Sequence, residues 1–224
     1  MQISLVKNSF YFTYIFLITT GTICFIEAIR NPDPKVRHIM NLETCISVVA
    51  GYFYGLFVAK IDKVEAKKEK DEEFPLEEIN DNRYTDWAIS TPLMLLVLCL
   101  ILGMENKHVV NFWVFMLILL FNFLMLGAGY IGEVGTLTKT SANMLGFVFF
   151  TLMYGTIWSV YMRNKKTINS QVIFWLFVVL WAFYGVFYQT DTLTKIFGYN
   201  ILDLLSKAFV GIFFWLYLTK SVKF

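Results

Sequence analysis

Four charged residues stand where an apolar environment would normally exclude charge, and their spacing pairs them. Asp203 and Lys207 lie four residues apart inside the apolar run ILDLLSKAFVGIFFWLY, residues 201–217. Arg83 and Asp86 lie three residues apart at the start of another apolar run. Residues three or four apart share one face of a helix. Two acids and two bases at membrane depth need partners, and they can neutralise each other if both helices face inward.

An amine held in apolar surroundings can carry out covalent chemistry. Desolvation favours the neutral form of a lysine, which is a nucleophile that condenses with carbonyl compounds to an imine. If Lys207 reacts in this way, the protonated imine requires a counterion, and Asp86 and Asp203 are available. The alternative is an ion-pair cluster that only fixes helix packing, and the residues alone leave both interpretations open.

The elements that must position these residues are membrane helices. Of the 224 residues, 57% are hydrophobic, which is too apolar for a soluble domain of this length. A spanning helix needs roughly 20 mostly apolar residues. Seven runs meet this requirement, at about 9–29, 39–61, 84–103, 108–131, 142–162, 170–189 and 195–219. We therefore predict one all-α membrane domain over residues 1–224, an integral, multi-pass bundle of seven transmembrane helices in a lipid bilayer.

The distribution of charge predicts the orientation of the chain. Lys and Arg concentrate in the loops after the first, third and fifth helices and in the tail, as they do in cytoplasmic segments. The N-terminus is therefore predicted to be extracellular and the C-terminus cytoplasmic. The charged stretch KIDKVEAKKEKDEEFPLEEIND, residues 60–81, is predicted to be an extracellular loop that forms a solvated, partly ordered flap.

Several classes of function receive no support from the sequence. A net charge of +2 and the absence of a nucleic-acid motif argue against a nucleic-acid partner. Cys24, Cys45 and Cys99 lie inside predicted spans at spacings that match no zinc or disulfide framework. We predict no metal site, no enzymatic activity and no dedicated protein partner.

Two motifs in the apolar runs resemble the microbial, type 1 rhodopsins. They are RYTDWAISTPLMLL, residues 83–96, and DLLSK, residues 203–207. In that family the seven helices are lettered A to G in chain order. Helix C carries R-Y-x-D-W-x-x-[TS]-T-P, and helix G carries D-x-x-x-K with retinal on the lysine. The resemblance covers essentially all seven spans. It implies that Lys207 binds all-trans-retinal as a protonated Schiff base whose charge Asp86 and Asp203 balance.

The resemblance also implies a retinal pocket. Its expected members on helices B, C, D and F are Tyr54, Trp87, Ser90, Thr91, Met94, Met125, Gly129, Trp181, Tyr184 and Tyr188. Asp86 is the expected primary proton acceptor, tuned by Arg83 and Ser90. Asp203 is expected to stay ionised as the second counterion, with hydrogen bonds from Tyr54 and Tyr184.

The expected source of the returning proton departs from the family pattern. Outward pumps often carry a donor carboxylate on helix C, three turns inward of the acceptor, and Val97 occupies that place. Helix B instead offers Glu43, eleven residues before Tyr54, which is about 16 Å at ~1.5 Å rise per residue. A desolvated glutamate at that depth is expected to be protonated, as a donor requires. The alternative is a first-turn glutamate that faces lipid headgroups and is favoured by the helix dipole.

Helix B and its entry, IRNPDPKVRHIMNLETC (residues 29–45), look like the rhodopsins of giant algal viruses. Some members of that subgroup conduct cations, and others look like proton pumps that form pentamers. We expect a retinal-binding photoreceptor that is a light-driven outward proton transporter, with Asp86 accepting the proton and Glu43 returning it. The resemblance also implies a homo-oligomer, with a pentamer favoured.

A light-gated cation channel and a photosensory rhodopsin are the alternatives. Channel-type helices B usually carry several glutamates, whereas this one has only Glu43 between His38 and Tyr54, and this favours transport. The missing donor on helix C would suit the slow photocycle of a sensor. Sodium and chloride pumps are disfavoured, because Asp86 is kept and neither Asn nor Gln replaces Ser90.

Overall fold

The computed structural model describes residues 2–67, 76–163 and 167–220, and within these ranges all secondary-structure elements are helices and no β-strand occurs. These ranges contain seven helices that are long and apolar enough to cross a membrane. They are α1 (Ile3–Arg30), α2 (Pro34–Lys67), α3 (Leu76–Asn106), α4 (Phe112–Glu133), α5 (Lys139–Met162), α6 (Ile168–Tyr188) and α7 (Thr192–Leu218). The predicted all-α, seven-helix membrane fold is confirmed, and the chain is an integral multi-pass membrane protein.

The helices extend beyond the predicted apolar runs, most clearly between α2 and α3. The prediction of a solvated flap over residues 60–81 was wrong at both ends, because α2 continues to Lys67 and α3 already begins at Leu76. Lys, Glu and Ala have high helix propensity, so a helix continues through them, whereas hydropathy marks only the segment that suits lipid. Arg83 and Asp86 accordingly lie inside α3 and not at its start.

Some predictions fall on parts of the chain of which the structure gives no description. They are the central part of the charged stretch, residues 68–75, and three lysines that are predicted to be cytoplasmic, Lys165, Lys166 and Lys223. The predicted orientation of the termini stays a prediction.

Short polar residues cap the helices that follow tight connections. The side chain of Asn111 accepts hydrogen bonds from two backbone N–H groups at the start of α4. Thr138, Thr167 and Asp191 each accept one at the starts of α5, α6 and α7. Such caps satisfy backbone donors that have no partner within the helix, which explains why each helix begins at that residue.

The chain divides into two compact units, residues 1–90 with 191–224, and residues 91–190. In the first unit α1 packs along α2 and against α7. The buried apolar core of this unit consists of Val6, Phe10, Leu17, Ala50, Phe53, Tyr54, Phe57, Ile61, Ile79, Ile196, Leu204 and Ala208. In the second unit α4 packs on α5, and α5 packs on α6. The prediction of a single domain over the whole chain stays a prediction.

The backbone of α7 changes geometry around the lysine. Between the α-helical segments Thr192–Asp203 and Val210–Leu218, residues Leu204–Phe209 form a π-helical segment that contains Lys207. Short π-helical segments inside α-helices occur frequently at functional sites. The carbonyl oxygen of Ala208 in this segment accepts a hydrogen bond from the Thr20 hydroxyl of α1 at 3.2 Å.

Candidate functional site

The four charged residues singled out in the sequence form one buried cluster in the first unit. Nζ of Lys207 lies 2.7 Å from Oδ2 of Asp86 and 3.3 Å from Oδ1 of Asp203. Nη1 of Arg83 lies 3.1 Å from Oδ2 of Asp203. All four side chains are buried. Two positive and two negative charges leave the cluster without net charge, which offsets part of the cost of removing them from water.

The two carboxylates of the cluster differ sharply in their hydrogen bonding. Besides the lysine amine, Asp203 accepts from the Tyr54 hydroxyl at 2.9 Å, Nη1 of Arg83 at 3.1 Å and Nε1 of Trp87 at 3.4 Å. Asp86 accepts from the lysine amine alone, and its Oδ1 has no hydrogen-bond partner among the described residues. Several donors therefore stabilise the Asp203 anion, whereas Asp86 has one oxygen available to a proton.

Aromatic rings surround the guanidinium group of Arg83. Its Cζ lies between 5.5 and 5.9 Å from the ring centroids of Phe10, Tyr54, Phe57 and Tyr199. Cations are attracted to the faces of aromatic rings, so this arrangement compensates part of the hydration that the guanidinium loses on burial. The sequence did not distinguish Phe10, Phe57 and Tyr199 from ordinary core residues, because aromatic residues at helical spacing are usually just that.

Asn200 connects Arg83 to α1, and sequence reasoning missed it. Its Oδ1 accepts from Nη2 of Arg83 at 2.7 Å, and its Nδ2 donates to the Ser9 hydroxyl at 2.8 Å. A polar chain therefore runs from the guanidinium group to the beginning of α1. A signal was present in the sequence, because Asn200, Asp203 and Lys207 are spaced i, i+3 and i+7 and lie on one helical face.

Two hydrogen bonds involve predicted pocket residues in the second unit. The Tyr188 hydroxyl donates to the carbonyl oxygen of Gly129 at 2.9 Å, so two predicted residues are in direct contact. The Thr91 hydroxyl accepts from Nδ2 of Asn122 at 2.8 Å. Asn122 was not predicted, and its role follows only from this contact, which orients the threonine hydroxyl.

The remaining pocket candidates of the second unit differ in burial. Met94 and Trp181 are buried, whereas Met125 and Tyr184 are half-buried. The indole N–H of Trp181 has no hydrogen-bond partner among the described residues. The hydrogen bond predicted between Tyr184 and Asp203 stays a prediction.

Glu43 is buried in α2, with 2% of its surface exposed, so its side chain does not face lipid headgroups. Its Oε2 lies 3.0 Å from the point that a Cβ on Gly211 of α7 would occupy. Cγ2 of Thr20 in α1 lies 2.7 Å from the same point. The carboxyl group therefore fills space that a glycine leaves between three helices of the first unit.

A family model described as bacteriorhodopsin-like protein matches residues 5–221. This chain belongs to the bacteriorhodopsin-like family. The crystal structure of viral rhodopsin OLPVRII is 47% identical to this rhodopsin, with 98% of this chain and 100% of that chain covered and a TM-score of 0.87. The resemblance to viral rhodopsins seen in the sequence is thereby confirmed.

Two curated relatives of this rhodopsin are more distant. Opsin-1 of Neurospora crassa is 27% identical over 154 residues, which cover 61% of this chain and 48% of that protein. Green-light absorbing proteorhodopsin of Gamma-proteobacterium EBAC31A08 is 26% identical over 150 residues, which cover 59% of each. This rhodopsin thus spans about half the length of the curated relatives that it matches.

Proteins of this family bind retinal through a Schiff base to a lysine and are photoreceptors or transporters, not enzymes. The described residues fit such a cofactor. The Lys207 amine is buried in a π-helical segment, with carboxylates at 2.7 and 3.3 Å that can balance a positively charged nitrogen. Oδ1 of Asp86 and the Ser90 hydroxyl are buried without a partner in the described part of the chain. Retinal is therefore the cofactor of this rhodopsin.

We expect Asn200→Leu to lower the free energy of unfolding by roughly 1–3 kcal/mol, because the buried guanidinium group of Arg83 loses a hydrogen-bond acceptor. Thermal unfolding in detergent, followed by circular dichroism, measures this effect. Ser9→Ala is the matched control, since it cuts the same polar chain one bond further from Arg83 and should cost less. If Asn200→Leu melts like the wild type, Asn200 does not hold the guanidinium group.

Proposed function

We propose that this rhodopsin is a light-driven outward proton transporter, in which Asp86 accepts a proton from the nitrogen of Lys207 and Glu43 returns one from the cytoplasmic side. When bound, retinal supplies light absorption and an isomerisation that changes the proton affinity of the nitrogen to which it is attached. Lys207 would hold it covalently. The other residues proposed to hold it are Trp87, Ser90, Thr91, Met94, Met125, Gly129, Trp181, Tyr184 and Tyr188.

The unequal hydrogen bonding of the two carboxylates is the observation that carries this proposal. A proton placed on Asp203 would weaken its bonds to three donors other than the lysine amine. Asp86 bonds only to Lys207 within the described residues, over 2.7 Å, which is a distance suited to proton transfer. The transfer removes one positive and one negative charge together, and it leaves Asp203 paired with Arg83.

A comparison of two buried glutamates of the first unit supports Glu43 as the donor. The Glu27 carboxylate accepts hydrogen bonds from Arg30, Asn31 and Trp215, which stabilise its anion. In the part of the chain that the structure describes, no such group donates a hydrogen bond to Glu43, which is buried. A buried carboxyl group without donors or cations has little to stabilise its charged form, and this favours a carboxyl group that keeps its proton until it is needed.

A light-gated cation channel and a photosensory rhodopsin remain alternatives. The carboxyl group of Glu43 packs between α1, α2 and α7 against Gly211 and Thr20, which favours a proton-holding role over a hydrated ion path. Voltage-clamp currents that reverse sign with the membrane potential would establish a channel. An unchanged external pH without any current would favour a sensor.

We expect cells that express this rhodopsin to acidify an unbuffered medium on illumination, and a protonophore to abolish the effect. Asp86→Asn should stop the acidification and shift the absorption maximum to the red, because the nitrogen of Lys207 loses its nearest counter-charge. Light-induced pH recordings and absorption spectra of the purified protein provide the two measurements. An unshifted spectrum would discredit Asp86 as counterion and acceptor.

We expect Glu43→Gln to slow the return of the proton to the nitrogen of Lys207 at least tenfold, and added azide to restore part of the rate, because a small diffusible acid can replace the lost carboxyl group. Flash photolysis measures this step. Glu27→Gln is the control, since the Glu27 carboxylate accepts hydrogen bonds from Arg30, Asn31 and Trp215. This substitution should leave the rate nearly unchanged. A photocycle unaffected by Glu43→Gln would remove Glu43 from the mechanism.

We also propose that the protein forms a homo-oligomer, with a pentamer favoured by its resemblance to viral rhodopsins. Many large apolar side chains of α1 and α4 are exposed, among them Ile15, Phe25, Phe112 and Trp113, and these must contact lipid or a neighbouring copy. Light scattering of the detergent-solubilised protein, corrected for bound detergent, should give the mass of five chains. A monomer at micromolar concentration in mild detergent would contradict this proposal.

A further inference from the structure

Ser47 carries a buried hydroxyl group that has no hydrogen-bond partner among the described residues. Its side chain is 1% exposed, and it lies one helical turn after Glu43 on α2. A buried polar group without a partner costs roughly 1–3 kcal/mol. A serine at this position therefore lowers stability. This cost favours a use for the hydroxyl that the resting hydrogen bonds do not reveal.

The hydroxyl groups of neighbouring threonines form hydrogen bonds within their own helices. Thr19, Thr22 and Thr44 each donate to the backbone carbonyl four residues earlier, at 2.9, 2.8 and 2.8 Å. Serine forms this bond as readily as threonine. Ser47 does not form it, although Thr44, Thr22 and Ser47 border the same apolar groove between α1 and α2.

Ser47 and the carboxyl group of Glu43 both lie close to α1. The two residues are i and i+4 and share one face of α2. Cβ of Ser47 lies 3.1 Å from the point that a Cβ on Gly21 of α1 would occupy. The adjacent residue, Thr20, borders the same Gly211 position as the Glu43 carboxyl group. Both polar groups therefore lie where α2 meets residues 20 and 21 of α1.

Thr20 links this contact between α1 and α2 to the segment that contains Lys207. Its hydroxyl group donates to the carbonyl oxygen of Ala208, the residue that follows Lys207 in the π-helical segment. Glu43, Ser47 and Thr20 thus lie along the contact between α1 and α2, and the Thr20 hydroxyl bonds to the backbone beside Lys207. The surrounding positions are occupied by small or apolar residues.

The same pairing of a carboxyl group with an unpartnered hydroxyl occurs at the proposed acceptor. Ser90 lies four residues after Asp86 on α3, is buried, and has no hydrogen-bond partner in the part of the chain that the structure describes. Each carboxyl group that is proposed to exchange a proton therefore has a free serine hydroxyl one turn further along its own helix. Because the arrangement occurs twice, it favours a role of these hydroxyl groups in proton exchange over a role in packing alone.

We infer that Ser47 is a positioning residue whose hydroxyl group donates to the Glu43 carboxylate after Glu43 has released its proton. The inference rests on the proposed function of Glu43 as donor. The O–H bond of the Glu43 carboxyl group breaks, and an N–H bond forms at the nitrogen of Lys207. Ser47 keeps its own proton throughout. Its hydroxyl turns toward the new anion and stabilises it with one charge-assisted hydrogen bond.

Ser47→Ala tests this inference against Thr44→Ala, which removes a hydroxyl that is bonded to the backbone one turn away. Ser47→Ala should slow the proton return step measured by flash photolysis about tenfold, the effect of losing one hydrogen bond to a charged group. Ser47→Thr should restore most of the rate, and Thr44→Ala should leave it unchanged. The melting temperature of Ser47→Ala should not fall, since a hydroxyl without a partner is removed.

Infrared spectra of the retinal-free protein provide a second readout that does not depend on transport. At alkaline pH the carboxylate stretching band of Glu43, identified by its loss in Glu43→Gln, should shift in Ser47→Ala and stay in place in Thr44→Ala. If Glu43→Gln slows proton return but Ser47→Ala changes neither rate nor band, the inference about Ser47 is wrong. If Glu43→Gln has no effect on the rate, the proposed donor role fails first.

Discussion

Neutralisation of the Lys207 amine by two buried carboxylates is the interaction on which the rest of this structure depends. A charge in the interior of a membrane helix bundle is tolerated only if an opposite charge lies beside it. Asp86 and Asp203 supply that compensation at 2.7 and 3.3 Å. The second carboxylate then needs its own partner, and Arg83 meets this requirement from α3.

The division of roles between the carboxylates follows from what each of them contacts. Asp203 is surrounded by donors, so its charge is stabilised where it is, whereas Asp86 has one oxygen without a partner among the described residues. The same contrast separates Glu27, which three side chains bind, from Glu43, which none of the described side chains binds by a hydrogen bond. Proton exchange is expected at the under-bonded member of each pair, because protonation there disrupts the fewest contacts.

Small residues bring the polar groups of the first unit together. Gly211 leaves room for the Glu43 carboxyl group, and Gly21 lets Ser47 approach α1 closely. Glycine and other small residues allow close approach of membrane helices in general. The π-helical segment around Lys207 adds a second local departure from regular geometry, and its Ala208 carbonyl bonds to α1. Close approach of α1, α2 and α7 therefore brings Thr20, Glu43 and Ser47 near one another.

The sequence by itself determined the seven helices, the family and the residues at the centre of the cluster. A lipid environment requires long apolar segments, which are visible in the sequence. The motifs around Arg83 and Lys207 are likewise recognised by the spacing of their residues along the chain. Hydropathy could not predict how far the helices extend, because helical hydrogen bonding reaches Lys67 in α2 and is already present at Leu76 in α3. Only the tertiary structure decided which polar residues have partners. Asn200 and Ser47 are both buried polar residues, yet the side chain of Asn200 is bonded to α1, α2 and α3, whereas that of Ser47 is bonded to none of the described groups. That difference arises because partners come from distant segments, whose approach depends on packing.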